Sequence, residues 1–267
     1  MAHSTTSARS DNDRVMDDQD MWGVVPEGAL QRIVVVSPHF DDAALGAAHL
    51  LSSYPGTTVI TVCGGPPESY PDEPTDWDTL GGFVAGDDIV AIRREEDRAA
   101  MSLVDATPIW LDFVDWQYLG EDERAAPLDV ATALEAALAT VAPTAVFLPM
   151  GVANPDHVLT HDAGRLVLER RPEIMWFAYE DSGYKHIPGL LAWRISKLFH
   201  SGLWPTPANV PVQPDLDRKR RVINCYRSQL APLERDHGLR ARLDGNVPEQ
   251  HWRLAPPPAG WEALVEV

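Results

Sequence analysis

Two short segments of the sequence carry side chains that could hold a metal ion. The first contains His39, Asp41 and Asp42, and a tight turn would bring His39 and Asp42 to one centre. The second contains Asp156 and His157. Two imidazoles and one carboxylate make an open zinc site, which leaves one position for water. Asp41 would then be available to accept a proton from that water.

Acidic residues are also common where helices begin, so these residue types have another interpretation. Asp41 and Asp42 could simply cap a helix, with His39 as an ordinary core or surface histidine. His161 follows His157 by one helical turn, but the zincin pattern needs Glu directly after the first His, and Val158 stands there. We therefore expect His161 to lie on the helix surface or behind the ligands.

The two segments can meet if the strands before them end at the same edge of one sheet. Short β-rich runs alternate with helical segments along the chain. The predicted strands are 33–36, 57–62, 108–111, 145–148 and 174–179, and the predicted helices are about 43–51, 88–104, 128–140 and 157–170. This alternation predicts a Rossmann-like α/β fold, with a mainly parallel sheet and helices on both faces. Both chemical segments then fall beyond strand carboxyl ends, where such sheets bind ligands.

The ends of the chain have a different character. Residues 1–22 are polar, rich in Asp and without apolar periodicity, which predicts an acidic, disordered tail before one domain over 23–267. From Glu180 onward the chain is richer in Pro, Trp and Arg. We predict a cap on the same domain there, with a helix near 215–230.

The composition excludes several classes of protein. The chain has 40 acidic and 22 basic residues in 267, a formal charge of −18, which makes nucleic acid an unfavourable partner. No apolar run is long enough for a membrane span and no secretory signal is evident, so the sequence favours the cytoplasm. Its two cysteines, Cys63 and Cys225, form no C-x-x-C pair. The sequence indicates no oligomeric state.

The two segments also resemble the motifs of a known family. Pro38-His39-Phe40-Asp41-Asp42, followed much later by Pro155-Asp156-His157, is similar to the P-H-x-D-D and H-x-D-H motifs of the PIG-L/LmbE family of zinc-dependent N-acetylglucosamine deacetylases. Arg93 and Glu96 look like the R-x-x-E helix of that family. The resemblance covers about residues 30–262.

This resemblance implies a role for each matching residue. His39, Asp42 and His157 would bind one Zn²⁺ per chain, and Asp41 would be the general base. Possible contacts to the oxyanion or the substrate are Asn154, Asp156 and Arg93. The implied reaction removes an acyl group, most favourably acetyl, from an amino sugar of a glycoconjugate or specialised metabolite. Alternatives are an amidase on a larger conjugate such as a thiol-sugar adduct, a metal-binding homologue with little catalysis, and a nucleotide-binding or regulatory α/β protein. Against the last, the usual glycine-rich phosphate loops are missing.

One residue departs from the family pattern. Asn154 stands where the first His of H-x-D-H is linked to oxyanion stabilisation or proton donation. Asn can donate a hydrogen bond but cannot deliver a proton. Either Asp41 returns its proton to the leaving nitrogen, or another group such as His161 or His186 does so, or the protein has little deacetylase activity.

Overall fold

The computed structural model describes residues 23–244, 248–257 and 261. The predicted tail, residues 1–22, lies outside the described residues. The strands are β1 (Ile33–Ser37), β2 (Thr58–Thr61), β3 (Thr107–Trp110), β4 (Ala145–Pro149), β5 (Met175–Tyr179), β6 (Trp204–Ala208) and β7 (His251–Ala255). The helices are α1 (Asp42–Ser53), α2 (Asp76–Leu80), α3 (Ile89–Ser102), α4 (Pro127–Val141), α5 (Pro155–Arg170), α6 (Leu190–His200), α7 (Leu216–Ile223), α8 (Arg227–His237) and α9 (Leu239–Asp244). No helix among the described residues combines the length and apolar character that crossing a bilayer requires.

The strands form one sheet in the order β3-β2-β1-β4-β5-β7-β6. The first five are parallel, and β7 and β6 extend the sheet in antiparallel pairs. The chain moves outward from β1 through β2 to β3, then returns to place β4 on the other side of β1. This reversal opens a crevice beyond the carboxyl ends of β1 and β4. The α/β fold with a mainly parallel sheet is confirmed.

The two strands beside the crevice are buried on both faces. Every residue of β1 and of β4 is buried, which explains why both strands read as continuous apolar runs rather than alternating ones. Side chains of one face pack with α1, and those of the other face pack with α4 and α5. The loops that leave these strands therefore start from a rigid, fully enclosed base.

The segment predicted as one helix near 215–230 forms two helices, so that prediction is wrong. α7 ends at Ile223 and α8 begins at Arg227. The break allows side chains of α3 to hold the start of α8: Glu96 accepts hydrogen bonds from the backbone and side chain of Ser228, at 2.8 and 2.6 Å. Tyr226, within the break, donates to the Asp97 carboxylate at 2.8 Å. A carboxylate at the first turn of a helix is electrostatically favourable.

The C-terminal part extends the sheet as well as covering it. β6 and β7 pair with each other, and β7 pairs with β5. His251 in β7 is buried and its ring packs edge-on against Phe147, 5.3 Å between centroids.

Helix α5 approaches β4 closely because Gly164 has no side chain. A Cβ atom built there would lie 2.5 Å from both terminal carbons of Leu148, which is fully buried. The close approach fixes the height at which α5, and hence its first turn, sits above the sheet.

We expect Gly164→Ala to destabilise the fold by about 1–3 kcal/mol, since the new methyl group overpacks the interface with Leu148. Urea unfolding measures the change. Combined with Leu148→Ala, the loss should be smaller than the sum of the two single losses, because the truncated side chain makes room. Strictly additive losses would show that α5 tolerates a Cβ there.

Candidate metal centre

The loops after β1 and β4 bring together the three residues that the sequence proposes as metal ligands. Nδ1 of His39 lies 3.1 Å from Oδ2 of Asp42, and Nε2 of His157 lies 3.2 Å from the same oxygen. The imidazole centroids are 5.3 Å apart. The three ligand atoms therefore face one small volume, within 4.8 Å of one another.

The far side of each imidazole is held by a further carboxylate. Nε2 of His39 lies 3.0 Å from Oδ2 of Asp156, and Nδ1 of His157 is hydrogen-bonded to Oδ1 of Asp181. An ionised carboxylate can only accept, so in neutral imidazoles that bind a metal these two outer nitrogens would carry the protons and donate them. The opposite nitrogens, which face Asp42, can then bind a cation through their lone pairs.

The electrostatics of the centre favour a positive charge. Burial alone would lower the pKa of His157, but Asp42 and Asp181 together raise it to about 9. The pKa of His39 is likewise raised, against the effect of burial, by Asp115, Asp156 and Asp42. These carboxylates would stabilise a bound divalent cation in the same way as they stabilise protonated imidazoles. The donor set of two nitrogens and one oxygen, with carboxylates behind it, thus fits Zn²⁺.

Asp41 lies beside this centre and does not cap the helix. It occupies the N-cap position of α1, but its side chain makes no capping hydrogen bond. Ser37 performs that task instead, since its hydroxyl accepts from the backbone N–H of Ala43 at 2.9 Å. Burial raises the pKa of Asp41 to about 7, and the charge of Asp42 raises it as well. The capping interpretation therefore does not account for Asp41.

Asn154 caps helix α5. Its Oδ1 accepts from the backbone N–H of Asp156 at 2.8 Å, and its Nδ2 donates to the hydroxyl of Tyr184 at 3.4 Å. The amide therefore uses its acceptor on the helix and presents its N–H groups to the cavity, which Asn154 and Tyr184 both line.

Arg93 is a buried cation at the same cavity. It is 6% exposed and donates to Oδ1 of Asp78 at 2.6 Å, while Tyr118 donates to the other oxygen of that carboxylate at 2.9 Å. Its Nη1 lies 4.0 Å from Asp115, and its Nε has no protein partner. The guanidinium thus places a positive charge beside Asp78 and Asp115 at the wall of the cavity.

Neither alternative proton donor proposed from the sequence reaches the centre. His161 is fully buried rather than on the helix surface, its Nδ1 pairs with the carbonyl of Pro149 at 2.8 Å, and burial together with Arg194 lowers its pKa to about 3. His186 lines a separate cavity. Oδ2 of Asp156 lies 3.0 Å from Nε2 of His39 and accepts a hydrogen bond from the backbone N–H of Trp116 at 3.0 Å, and the contact of Asp156 with a substrate stays a prediction.

The sequence reasoning missed two residues of the cavity wall and one carboxylate that lies behind a proposed ligand. Asp181, which contacts His157, was not proposed as a site residue, and neither were Tyr184 and His237. The ring of Tyr184 stands perpendicular to that of His157 at 5.2 Å and to that of His237 at 5.0 Å. His237 ends α8, far from either motif, so only its histidine side chain could have marked it.

The centre opens into a cavity of about 510 Å³. Its walls come from the loops after β1 and β4, from α2 and α3, and from α8. Thr75, Asp76 and Trp77, at the end of the loop that follows β2, line one side. Trp77 is fixed there, because its Nε1 donates to Gln229 at 2.8 Å.

Comparison with known proteins gives one family model and several similar solved structures. A family model described as PIG-L, GlcNAc-PI de-N-acetylase, matches residues 34–168. A deacetylase triple mutant (Orf2*T) of the teicoplanin biosynthetic pathway is 25% identical, with a TM-score of 0.69 over 86% of this chain and 100% of that one. The A40926 pseudoaglycone deacetylase Dbv21 is 25% identical, with a TM-score of 0.68 over 86% and 99%. The N,N'-diacetylchitobiose deacetylase from Pyrococcus horikoshii, 16% identical with a TM-score of 0.51 over 88% and 89%, shares the fold. No curated protein matches the sequence significantly.

We expect Asp181→Asn to weaken zinc binding by about 10–100-fold, because His157 would lose the carboxylate that fixes its ring and its tautomer. Competition with a chromophoric chelator measures the affinity. Asp217→Asn, on an exposed carboxylate of α7, is the control and should leave the affinity unchanged. An unaltered affinity in Asp181→Asn would remove Asp181 from the centre.

Proposed function

This chain belongs to the PIG-L family of GlcNAc-PI de-N-acetylases, and we propose that it removes an acyl group, most favourably acetyl, from the amino group of an amino sugar. The observation that carries the proposal is the convergence of His39, Asp42 and His157 on one volume, with the uncapped carboxylate of Asp41 adjacent. The reaction is a hydrolysis: the amide and one water molecule give the free amine and a carboxylate.

We assign one zinc ion to His39, Asp42 and His157. Zinc held there would acidify a water molecule and polarise the acyl carbonyl. The protein contributes the orientation of its ligands, since Asp156 and Asp181 fix the two imidazole rings from behind.

Asp41 is the proposed general base. It is 7% exposed, its side chain has no helix-capping duty, and it lies next to a proposed ligand, Asp42. A pKa of about 7 lets a carboxyl group both accept and return a proton near neutral pH. Asp41 therefore takes the proton of the attacking water and returns it to the nitrogen as the C–N bond breaks. Neither His161 nor His186 is placed to do so.

Asn154 is the proposed partner of the developing oxyanion. Its Oδ1 is committed to the first turn of α5, and this fixes the orientation of the amide. One Nδ2 hydrogen is directed to the hydroxyl of Tyr184, and the other is left to donate to a negatively charged oxygen. The side chain stabilises charge without supplying a proton.

The size of the cavity and the relatives support an amino sugar within a larger molecule. A volume of about 510 Å³ is within the range of sites that enclose drug-sized ligands, so a sugar with part of its aglycone fits better than a lone acetamide. Two similar structures are deacetylases of the teicoplanin pathway and of the A40926 pseudoaglycone. We therefore propose an N-acylated amino sugar of a glycoconjugate or specialised metabolite as the substrate class.

Replacing Asp41 by Asn should leave zinc bound and lower kcat by about 10²–10⁴-fold, because the amide cannot accept the proton of water. Acetate release from a panel of N-acetylglucosaminides, with zinc content after dialysis, measures both effects. His157→Ala should lose zinc and activity together, and Asp112→Asn, on an exposed carboxylate, should change neither. Full activity in Asp41→Asn would refute the assignment of the base.

Comparing short with bulky acyl groups on the same sugar distinguishes a deacetylase from a broader amidase.

Asn154→Asp separates helix capping from oxyanion stabilisation. Asp caps helices as well as Asn does, so we expect the melting temperature to stay close to that of the wild type. A carboxylate would repel the oxyanion, so kcat/KM should fall. Asn154→Ala should lose activity and also about 0.5–2 kcal/mol of stability. If the Asp variant kept full activity, the role of Asn154 would be limited to the helix.

A further inference from the structure

A second group of metal-binding atoms lies on the other side of the His39 ring. Nε2 of His39, Sγ of Cys63 and a carboxylate oxygen of Asp156 lie within 4.8 Å of one another. The distance from Nε2 to Oδ2 of Asp156 is 3.0 Å. His39 thus presents Nδ1 to the centre formed with Asp42 and Nε2 to this second group.

The chain fixes all three groups in place. Cys63 follows β2, and its backbone N–H donates to the carbonyl of Pro38 at 2.9 Å, so the ends of β1 and β2 are tied together beside the first motif. Asp156 is held in the first turn of α5 by Asn154 and receives a hydrogen bond from the backbone of Trp116. Cys63 and Asp156 are 4% and 3% exposed. Three different loops therefore place these atoms together.

The donor types select a particular class of cation. A thiolate, an imidazole and a carboxylate suit Zn²⁺ and the softer Cd²⁺, and they suit Mg²⁺ or Ca²⁺ poorly. With bonds of 2.0–2.3 Å in tetrahedral geometry, ligand atoms are roughly 3.3–3.8 Å apart. The Nε2–Oδ2 distance of 3.0 Å and the 4.8 Å limit on all three separations bracket this range, and a water molecule would supply the fourth ligand.

We propose that His39, Cys63 and Asp156 form a second, inhibitory site for a thiophilic divalent cation, Cd²⁺ or zinc in excess. Binding forms bonds to Sγ, to a carboxylate oxygen and to Nε2. It releases two protons to solvent, one from the thiol and one from Nε2, and no group is oxidised or reduced.

Occupation of this site would disturb the first centre through His39. Asp156 would no longer accept the hydrogen bond that fixes the imidazole, and the ring would be shared between two cations. The inhibitory part of the inference rests on the proposed function, whereas cation binding at Cys63 does not.

The test uses full-length protein loaded with one equivalent of zinc and titrated with Cd²⁺. The ultraviolet charge-transfer band of a cadmium–thiolate bond reports binding at cysteine independently of activity. Wild-type protein should bind one Cd²⁺ with this band, keep its zinc, and lose hydrolytic activity over the same range of Cd²⁺ concentration. Mg²⁺ should have no effect.

Cys63→Ser should remove the band, leave the basal hydrolysis unchanged, and raise the Cd²⁺ concentration for half-inhibition by more than about tenfold. The matched control is Cys225→Ser, which replaces the other, partly exposed cysteine and should behave as the wild type. A band that persists in Cys63→Ser, or one-for-one displacement of zinc by cadmium, would overturn the second site. A band in the wild type with undiminished hydrolysis would overturn its inhibitory role. If the protein hydrolyses none of the acylated sugars, the proposed function fails, and the band and metal content still decide whether the second site exists.

Discussion

The arrangement of the site depends on the negative charge that surrounds two imidazoles, the buried one of His157 and the partly exposed one of His39. Asp42 lies between the rings of His39 and His157, while Asp156 and Asp181 bind their outer nitrogens. Carboxylates in a buried place are costly unless positive charge compensates them. The raised pKa values of both histidines show that the surrounding carboxylates favour positive charge at this place. One divalent cation would compensate these carboxylates and would allow both imidazoles to be neutral ligands.

The fold satisfies this constraint by bringing the ends of buried parallel strands to one edge. β1 and β4 are adjacent although more than a hundred residues separate them along the chain, because the order of strands reverses between them. The loop after β4 also needs a conformation that few residues adopt: Gly151 has φ +77°, and a Cβ there would lie 2.4 Å from that of His161. The buried His161 is thus part of the packing that shapes the loop.

The sequence predicted those parts of the site that are local in the chain. The three proposed ligands follow recognisable strands, so alternating strands and helices were enough to bring them to one edge. Asp181 follows β5 without a distinctive pattern, and its contact with His157 depends on how far α5 stands from the sheet.

β6 was not predicted, because Pro205 and Pro207 argue against a strand; both are tolerated since β6 is the edge of the sheet and pairs on one side only. The break between α7 and α8 could not be predicted either, because it is held by Glu96 and Asp97 of a distant helix.

Asn154 combines two roles in one side chain: it caps helix α5, and it is the proposed partner of the oxyanion. The first turn of α5 carries His157, a proposed ligand, and Asp156, whose carboxylate contacts His39, the other proposed histidine ligand. A change in the conformation of that turn would therefore displace both side chains. Asn is among the strongest N-capping residues, which makes the turn rigid, but it has no proton to give. In the proposed mechanism Asp41 must therefore serve both the attacking water and the leaving nitrogen, in succession. Burial without a capping partner keeps its carboxyl group able to exist in both protonation states, which the double task requires.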